Sequence, residues 1–331
     1  MIGRLFLFAS MKNIRFAHGL RCLCLTWAAL ALAALVGCAS VPLPVVPGAA
    51  PVSLPSTPNL STQPPVVEKR IPRIGLALGG GAARGFAHVG VIQALEEAGI
   101  RPELVAGTSA GSLVAALYAS GKNSAQLKKV AETMEEAEIT DWMIPILNRG
   151  ALRGEALARY VNTQVAGTAI ENMKMPLGVV ATDLQSGEAM LFRRGSTGTA
   201  VRASSAVPGV FQPVKVGNHE YVDGGLVSPV PVKQAREMGA NFVIAVDISS
   251  DPEGNLADDT FQILMQTFAI MGKSINSYGL KEANLVVRPA LTGVKSADFT
   301  ARRRSIEAGH AAMQKLIPRL RELLIQFENG R

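Results

Sequence analysis

The chain has few cysteines, few aromatic residues and a small share of charged residues. Of its 331 residues, three are cysteine, 5% are aromatic and 18% are charged. Three cysteines are too few for a fold held together by several disulfides. The low aromatic content argues against a surface that stacks nucleic-acid bases. Because 48% of the residues are hydrophobic, the sequence can build a large core and is not typical of a disordered chain.

The first 37 residues predict a secretory signal peptide. They carry four basic residues and no acidic residue, followed by an apolar run over 23–36. This run is shorter than the roughly 20 residues of an ordinary transmembrane helix. It ends in Leu-Val-Gly-Cys, which resembles a bacterial lipobox in which Cys38 is lipidated and becomes the first mature residue. The alternatives are a chance cysteine beside an uncleaved anchor, and a true start at Met11.

A tether is predicted between this anchor and the folded part of the chain. Residues 39–72 hold nine of the 19 prolines, so residues 38–72 are interpreted as the lipidated cysteine and an extended, mobile linker. Loss of the signal lowers the formal net charge from +7 to +3, which removes most of the case for nucleic-acid binding. Ala39 after the cysteine resembles an outer-membrane address, so we expect a lipid-anchored protein of the bacterial cell envelope, facing the periplasm.

Strand and helix patterns alternate from residue 73 to the end of the chain. This alternation predicts a single α/β domain over 73–331, with a mostly parallel central sheet and helices on both faces. The predicted strands are Ile74–Leu78, Leu104–Ala106, Leu177–Ala181, Ala189–Arg193, a hairpin of Val214–Val216 with Glu220–Val222, Asn241–Ile248 and Leu285–Arg288. The predicted helices are Phe86–Ala98, Ala110–Ser120, Ser124–Glu136, Glu155–Val165, Val232–Met238, Asp259–Tyr278 and Ser305–Phe327.

A G-x-S-x-G motif lies between a predicted strand and a predicted helix. It consists of Gly107, Thr108, Ser109, Ala110 and Gly111. In a nucleophile elbow the serine sits on a tight strand-to-helix turn, so its hydroxyl projects from the sheet edge towards the positive end of the helix. The alternative is an ordinary glycine-rich turn.

A glycine-rich loop, Gly79–Gly85, joins the first strand to the first helix. Its backbone amides could bind a dinucleotide or a phosphate, or serve as an oxyanion hole for Ser109. Arg84 stands where a dinucleotide motif needs its third glycine, and the Lys-Ser/Thr pair of a P-loop is missing. An oxyanion hole needs only amides close to the nucleophile.

Asp223, Gly224 and Gly225 form a third, weaker motif after the predicted hairpin, where a plain turn is the alternative. A Ser–Asp–His triad is not favoured, because no histidine falls in a late loop after an acidic residue. His88 remains an alternative base, since its helix starts at the glycine-rich loop.

The three motifs, in this order and spacing, resemble the patatin-like phospholipase family, best over residues 74–236, and in particular bacterial patatin-like lipoproteins. The resemblance implies a catalytic dyad with Ser109 as nucleophile and Asp223 as base. It also implies an oxyanion hole in the loop formed by Gly80, Gly81, Ala82, Ala83, Arg84 and Gly85. Ala82 departs from the family pattern, which has glycine there, but a backbone donor does not require a missing side chain.

The expected activity is a phospholipase A-type hydrolysis of acyl esters through an acyl-enzyme. The substrate would be a phospholipid or another acyl ester, and no metal, cofactor or nucleic acid is implied. Lysophospholipase, thioesterase or general carboxylesterase activity is the alternative with the same machinery. A lipoprotein that binds lipid or a partner without turnover is the alternative of a different class. Arg84 would either meet a lipid phosphate or brace the site through an ion pair.

Overall fold

The computed structural model describes residues 69–141, 150–252, 259–295 and 298–330. The predicted signal peptide, Cys38 and the predicted tether as far as residue 68 lie outside the described residues. Within the described ranges, no helix is both long and apolar enough to cross a bilayer.

A mixed sheet of eight strands forms the centre of the described domain. The strands, including the separate pair β3–β6, are β1 (Ile74–Leu78), β2 (Leu104–Thr108), β3 (Gly150–Leu152), β4 (Leu177–Asp183), β5 (Ala189–Phe192), β6 (Gly209–Phe211), β7 (Val214–Val216), β8 (His219–Asp223), β9 (Phe242–Val246) and β10 (Leu285–Val287). The strand order in the sheet is β10-β9-β1-β2-β4-β8-β7, with β5 paired to β4 outside this path. From β10 to β4 every neighbour is parallel, whereas β5, β7 and β8 are antiparallel to their partners.

All seven predicted helices are present, with ends shifted by a few residues. Two further helices were not predicted: the four-residue helix Glu136–Ile139 and the helix Thr197–Ser204, which is rich in small and polar residues. Neither has an apolar period long enough to indicate a helix. The helices are α1 (Phe86–Glu97), α2 (Ala110–Ala119), α3 (Ser124–Thr133), α4 (Glu136–Ile139), α5 (Glu155–Gln164), α6 (Thr197–Ser204), α7 (Val232–Glu237), α8 (Thr260–Gly279) and α9 (Arg302–Glu328).

The sheet is buried on both faces, which confirms the predicted layered α/β architecture. Along β1, Leu76 and Leu78 pack into the cluster formed with α1, α2, α3 and α9. Ala77, which points to the other face, packs against residues of α7 and β9 instead. Burial of all five residues of β1 explains why this strand is a continuous apolar run in the sequence.

Helices α1 and α9 approach each other closely through two glycines. A Cβ atom on Gly90 would overlap the carbonyl of Ile306, and a Cβ on Gly309 would overlap the carbonyl of Ala87. The long C-terminal helix therefore lies directly on α1, which begins at the glycine-rich loop, and holds the position of that loop.

The strand β4 brings two distant parts of the chain together. One edge of β4 pairs first with β2, up to the pair Thr108↔Val180, and then with β8, starting at the pair Asp223↔Ala181. The opposite edge of β4 pairs with β5. Strands β2 and β8 therefore lie end to end and run towards each other along β4. Their carboxyl ends meet, which places the residue after β2 beside the last residue of β8.

Candidate active site

Ser109 occupies the sharp turn between β2 and α2. Its backbone has φ 52° and ψ −124°, a conformation that a residue with a Cβ rarely adopts. A Cβ on Gly111 would collide with the carbonyl of Leu78, and a Cβ on Gly107 would collide with the backbone of Gly111. The two glycines thus let the start of α2 press against β1 and β2, and this close packing holds Ser109 in its strained conformation.

Asp223 lies directly against this serine. The hydroxyl of Ser109 donates to Oδ2 of Asp223 at 2.6 Å, and the amide of Gly225 donates to Oδ1 at 2.6 Å. The backbone of Asp223 is fixed on both sides, since its amide donates to the carbonyl of Ala206 and its carbonyl accepts from the hydroxyl of Thr182. Each carboxylate oxygen therefore has one defined donor, and the orientation of the side chain is set before any ligand arrives.

Burial changes the acidity of this carboxyl group. The Asp223 side chain is almost completely buried, and desolvation raises its pKa from an ordinary 3.8 to about 6. Hydrogen bonds from Ser109 and Gly225 act in the opposite direction but are weaker. A carboxylate with a pKa near 6 is a stronger base than an exposed aspartate and is still ionised at neutral pH.

A second serine supports the elbow, and the sequence analysis did not single it out. Ser204, at the end of α6 and fully buried, accepts a hydrogen bond from the Ser109 amide at 2.8 Å. Its own hydroxyl donates to the carbonyl of Val180 at 2.5 Å. The signal that could have found Ser204 is its position shortly before Pro208, a residue that marks the end of a helix.

The glycine-rich loop lies over the start of α2, but only some of its amides are free. Gly80 donates to the carbonyl of Pro229 at 2.9 Å, and Arg84 donates to the carbonyl of Gly81 at 3.2 Å. In the structure these two amides already have backbone acceptors, whereas the prediction assigned the oxyanion hole to the whole loop from Gly80 to Gly85. Among the described residues, no acceptor is found for the amides of Gly81, Ala82 and Ala83.

Both ends of the loop pack closely against the nucleophile elbow. A Cβ on Gly80 would come within 3.2 Å of the Ser109 Cβ, and one on Gly85 within 2.8 Å of the Ala110 Cβ. Ala82 has φ 50°, so this residue adopts the left-handed conformation that glycine tolerates better. The loop keeps its course with alanine at this position, at a cost of about 1 kcal/mol in backbone strain.

His88 is not in contact with either Ser109 or Asp223. Its Nε2 donates to the carbonyl of Gly79 at 2.8 Å, and the ring is fully buried. Burial lowers the pKa of His88 to about 4, so the ring is neutral at pH 7. The other two described histidines pair with carboxylates elsewhere, His219 with Asp183 and His310 with Glu97. The structure thus offers Asp223, rather than a histidine, as the base within reach of the serine.

Arg84 is buried rather than directed to solvent. Burial lowers the pKa of its guanidinium, and the negative charge of Asp247 partly offsets this effect. Arg84 does not line the cavity beside Ser109. A role inside the domain therefore fits its position better than contact with a substrate phosphate.

An apolar cavity of about 260 Å³ opens beside Ser109. Ser109, Ala82 and Ala83 are among the residues that line it, so the serine and part of the glycine-rich loop border the same space. The rest of the wall comes from helices α1 to α5, strands β3 and β6 and nearby loops, and includes Phe86, Val89, Leu113, Leu117, Leu127 and Leu157. Such a cavity suits a hydrocarbon chain and not a charged ligand. No cluster of three or more His, Cys, Asp or Glu side chains able to hold a metal occurs among the described residues.

Residues 76–236 match the family model described as patatin-like phospholipase. This segment contains the loop, the elbow and the Asp-Gly-Gly motif. This segment is a patatin-like phospholipase domain. The resemblance stated from the three motifs is therefore confirmed.

Relatives of the family cover this part of the chain. An uncharacterized NTE family protein of Mycobacterium bovis is 37% identical over 188 residues, which are 56% of this chain and 52% of that protein. Human patatin-like phospholipase domain-containing protein 6 is 34% identical over 215 residues, which are 63% of this chain and 15% of that protein. The chain thus spans about half the length of the mycobacterial relatives.

One solved structure supports the fold. VipD from Legionella pneumophila superimposes with a TM-score of 0.52 at 16% identity, covering 76% of this chain and 68% of VipD. The α/β fold predicted from the alternating elements, and the patatin-like fold implied by the three motifs, are thus confirmed.

Proposed function

We propose that the protein is a membrane-anchored serine hydrolase that releases acyl chains from lipids, with a phospholipase A-type activity. The observation that carries this proposal is the 2.6 Å hydrogen bond from the strained Ser109 to the buried Asp223, next to an apolar cavity. Family membership supports hydrolysis of carboxylic esters. The lipobox-like sequence ending at Cys38 supports attachment to the membrane, most simply the outer membrane facing the periplasm.

The proposed reaction begins with the attack of Ser109 on the acyl carbonyl carbon. Asp223 accepts the proton of the Ser109 hydroxyl as the Oγ–carbon bond forms. The negative charge that develops on the carbonyl oxygen is stabilised by free amides among Gly81, Ala82 and Ala83, together with the amino terminus of α2. Loss of one such donor typically costs 10²- to 10³-fold in rate.

Collapse of this intermediate expels the alcohol, which takes up the proton held by Asp223. The acyl chain then remains on Ser109 as an ester, with its hydrocarbon part in the cavity. Water repeats the attack with Asp223 as base, the fatty acid leaves, and the serine hydroxyl is restored. Asp223 suits both steps, since its carboxylate is fixed by Gly225 and buried beside the serine.

The test is the release of fatty acid from phospholipid vesicles by the wild-type chain and two serine variants. We expect Ser109→Ala to reduce the rate to background. Ser120→Ala is a matched control, because its hydroxyl donates to a carbonyl at the far end of the same helix. Equal rates for wild type and Ser109→Ala would contradict the proposal.

The same assay distinguishes the alternatives. Faster turnover of lysophospholipids, acyl thioesters or short soluble esters would assign the activity to one of those classes. A folded wild-type chain that binds vesicles but releases no acyl group from any of these substrates would favour a binding lipoprotein.

A further inference from the structure

Helix α8 presents an apolar face to solvent. Five of its large apolar side chains are between 37% and 71% exposed. They form two rows with a spacing of seven residues, 263 and 270 in one and 264, 271 and 278 in the other, so they lie on one side of the helix. The polar residues between them, such as Thr267 and Ser274, are uncharged. This surface, called here the α8 face, consists of Ile263, Leu264, Ile270, Met271 and Tyr278.

The other side of α8 is fixed to the domain. Asn276 donates to the hydroxyl of Ser249 at 2.9 Å, and Gln266 donates to the carbonyl of Pro252 at 2.6 Å. The ammonium of Lys273, the one charged residue in α8, pairs with Asp251 at 3.0 Å. These contacts set the rotation of the helix and leave the α8 face exposed, with only Leu264, at one edge of the face, close to the domain.

The helix lies at the same end of the domain as Ser109. Leu264 is 3.3 Å from the position that a Cβ would take on Gly209, where β6 begins, and Phe211 at the end of β6 lines the cavity. On the inner side, Gly272 lies against Pro229, whose carbonyl accepts from Gly80 in the glycine-rich loop. The α8 face is therefore close to the serine and its cavity.

We propose that the α8 face rests on a lipid bilayer and turns the cavity towards it. This inference deepens the proposed function and rests on it. The exposed side chains carry no charge, which suits a bilayer better than an acidic or basic protein partner. At the C-terminal end of the face, Tyr278 has the ammonium of Lys281 5.3 Å from its ring centre, an aromatic–basic pairing suited to the headgroup region.

The segment that precedes the described residues also favours a bilayer as the partner of the α8 face. The described residues start at 69, and the predicted anchor at Cys38 lies about 30 residues earlier. A proline-rich segment of that length spans on the order of 30 to 100 Å. A domain held at such a distance meets the bilayer continually, so a weak apolar contact is enough to orient it.

The direct test uses the full-length chain on vesicles that contain a phospholipid with a photoactivatable diazirine in its acyl chain. Irradiation and peptide mass spectrometry then show which residues touch lipid. We expect adducts on the α8 face to exceed those on Ile325 of α9 at least tenfold, although Ile325 is 59% exposed. Because the amino-terminal segment brings the chain to vesicles in any case, equal labelling of Ile325, or no labelling of α8, would overturn the proposal.

A double variant tests the consequence for activity. We expect Ile263→Asn with Ile270→Asn to lower the ratio of the rate on vesicle phospholipid to the rate on a water-soluble short-chain ester about tenfold. The control Ile325→Asn should leave this ratio unchanged. An unchanged ratio in the double variant would contradict the inference, as would wild-type dimers that the double variant abolishes. If the wild type hydrolyses neither substrate, the proposed function is wrong. The labelling pattern still shows, independently of activity, whether the α8 face contacts the bilayer.

Discussion

Replacement of Asp223 by asparagine is expected to stabilise the fold at neutral pH and to abolish activity. Asparagine keeps the size of the side chain and can still accept from the Gly225 amide, but it carries no charge and cannot take a proton from Ser109. In the wild type, the charge of Asp223 is buried with only two hydrogen bonds to it.

The magnitude follows from the raised pKa of Asp223. The carboxyl titrates at about 6 in the folded chain and at 3.8 when exposed, a difference that corresponds to about 3 kcal/mol. Well below pH 3.8 the carboxyl group is protonated in both the folded and the unfolded state, so it has no effect on the free energy of unfolding. Between pH 3.8 and about 6 the unfolded chain has lost the proton while the folded chain still holds it, so stability falls over this range, and it levels off above pH 6 once both states are ionised.

The assay is urea unfolding of wild type and Asp223→Asn at pH 4 and pH 8, alongside the rate of ester hydrolysis. We expect the variant to gain up to about 3 kcal/mol relative to wild type between pH 4 and pH 8, and to lose at least 10³-fold in rate. An advantage that is the same at both pH values would refute the burial argument. A variant with wild-type activity would refute the role of Asp223 as base.

Three further substitutions test the elements around the serine. Ala82→Gly should raise the free energy of unfolding by about 1 kcal/mol, because glycine relieves the positive φ; a decrease would show that the loop is unstrained. Ser204→Ala should cost about 1 to 3 kcal/mol in the same measurement and lower kcat more than it raises KM, since the Ser109 amide loses its acceptor. His88→Ala should reduce stability, but the pH–rate profile should keep its inflection near 6, because His88 contacts Gly79 and not the serine. A lost or displaced inflection would indicate that the histidine titrates in the reaction.

The sequence was sufficient for most of the architecture, and the reasons are physical. Strands such as β1 and β9 are buried on both faces, so they are continuous apolar runs that end at turns. Helix α6 was missed because its eight residues are mostly small and polar, and it is fixed by contacts with β4 and α5 rather than by its own pattern. Its end nevertheless supplies the buried hydroxyl that supports the elbow.

The candidate site was predictable in its residues but not in its hydrogen bonds. The motif around Ser109 indicated an exposed hydroxyl, whereas its contact with Asp223 joins residues 114 positions apart and depends on β2 and β8 sharing one edge of β4. Likewise, the hydrogen bond that the Gly80 amide donates to the Pro229 carbonyl forms only when the loop packs on a segment distant in the sequence. No local pattern could show which amides of the loop remain free.

The central claim is that Asp223 activates Ser109 as a nucleophile, and covalent labelling by a fluorophosphonate tests it most directly. After reaction at pH 8, digestion and mass spectrometry should find the phosphonyl group on Ser109 in the wild type. The same experiment should find no adduct in Ser109→Ala and at least a hundredfold slower labelling in Asp223→Asn. A folded wild-type chain that remains unlabelled, or an adduct on another serine that persists in Ser109→Ala, would contradict the account.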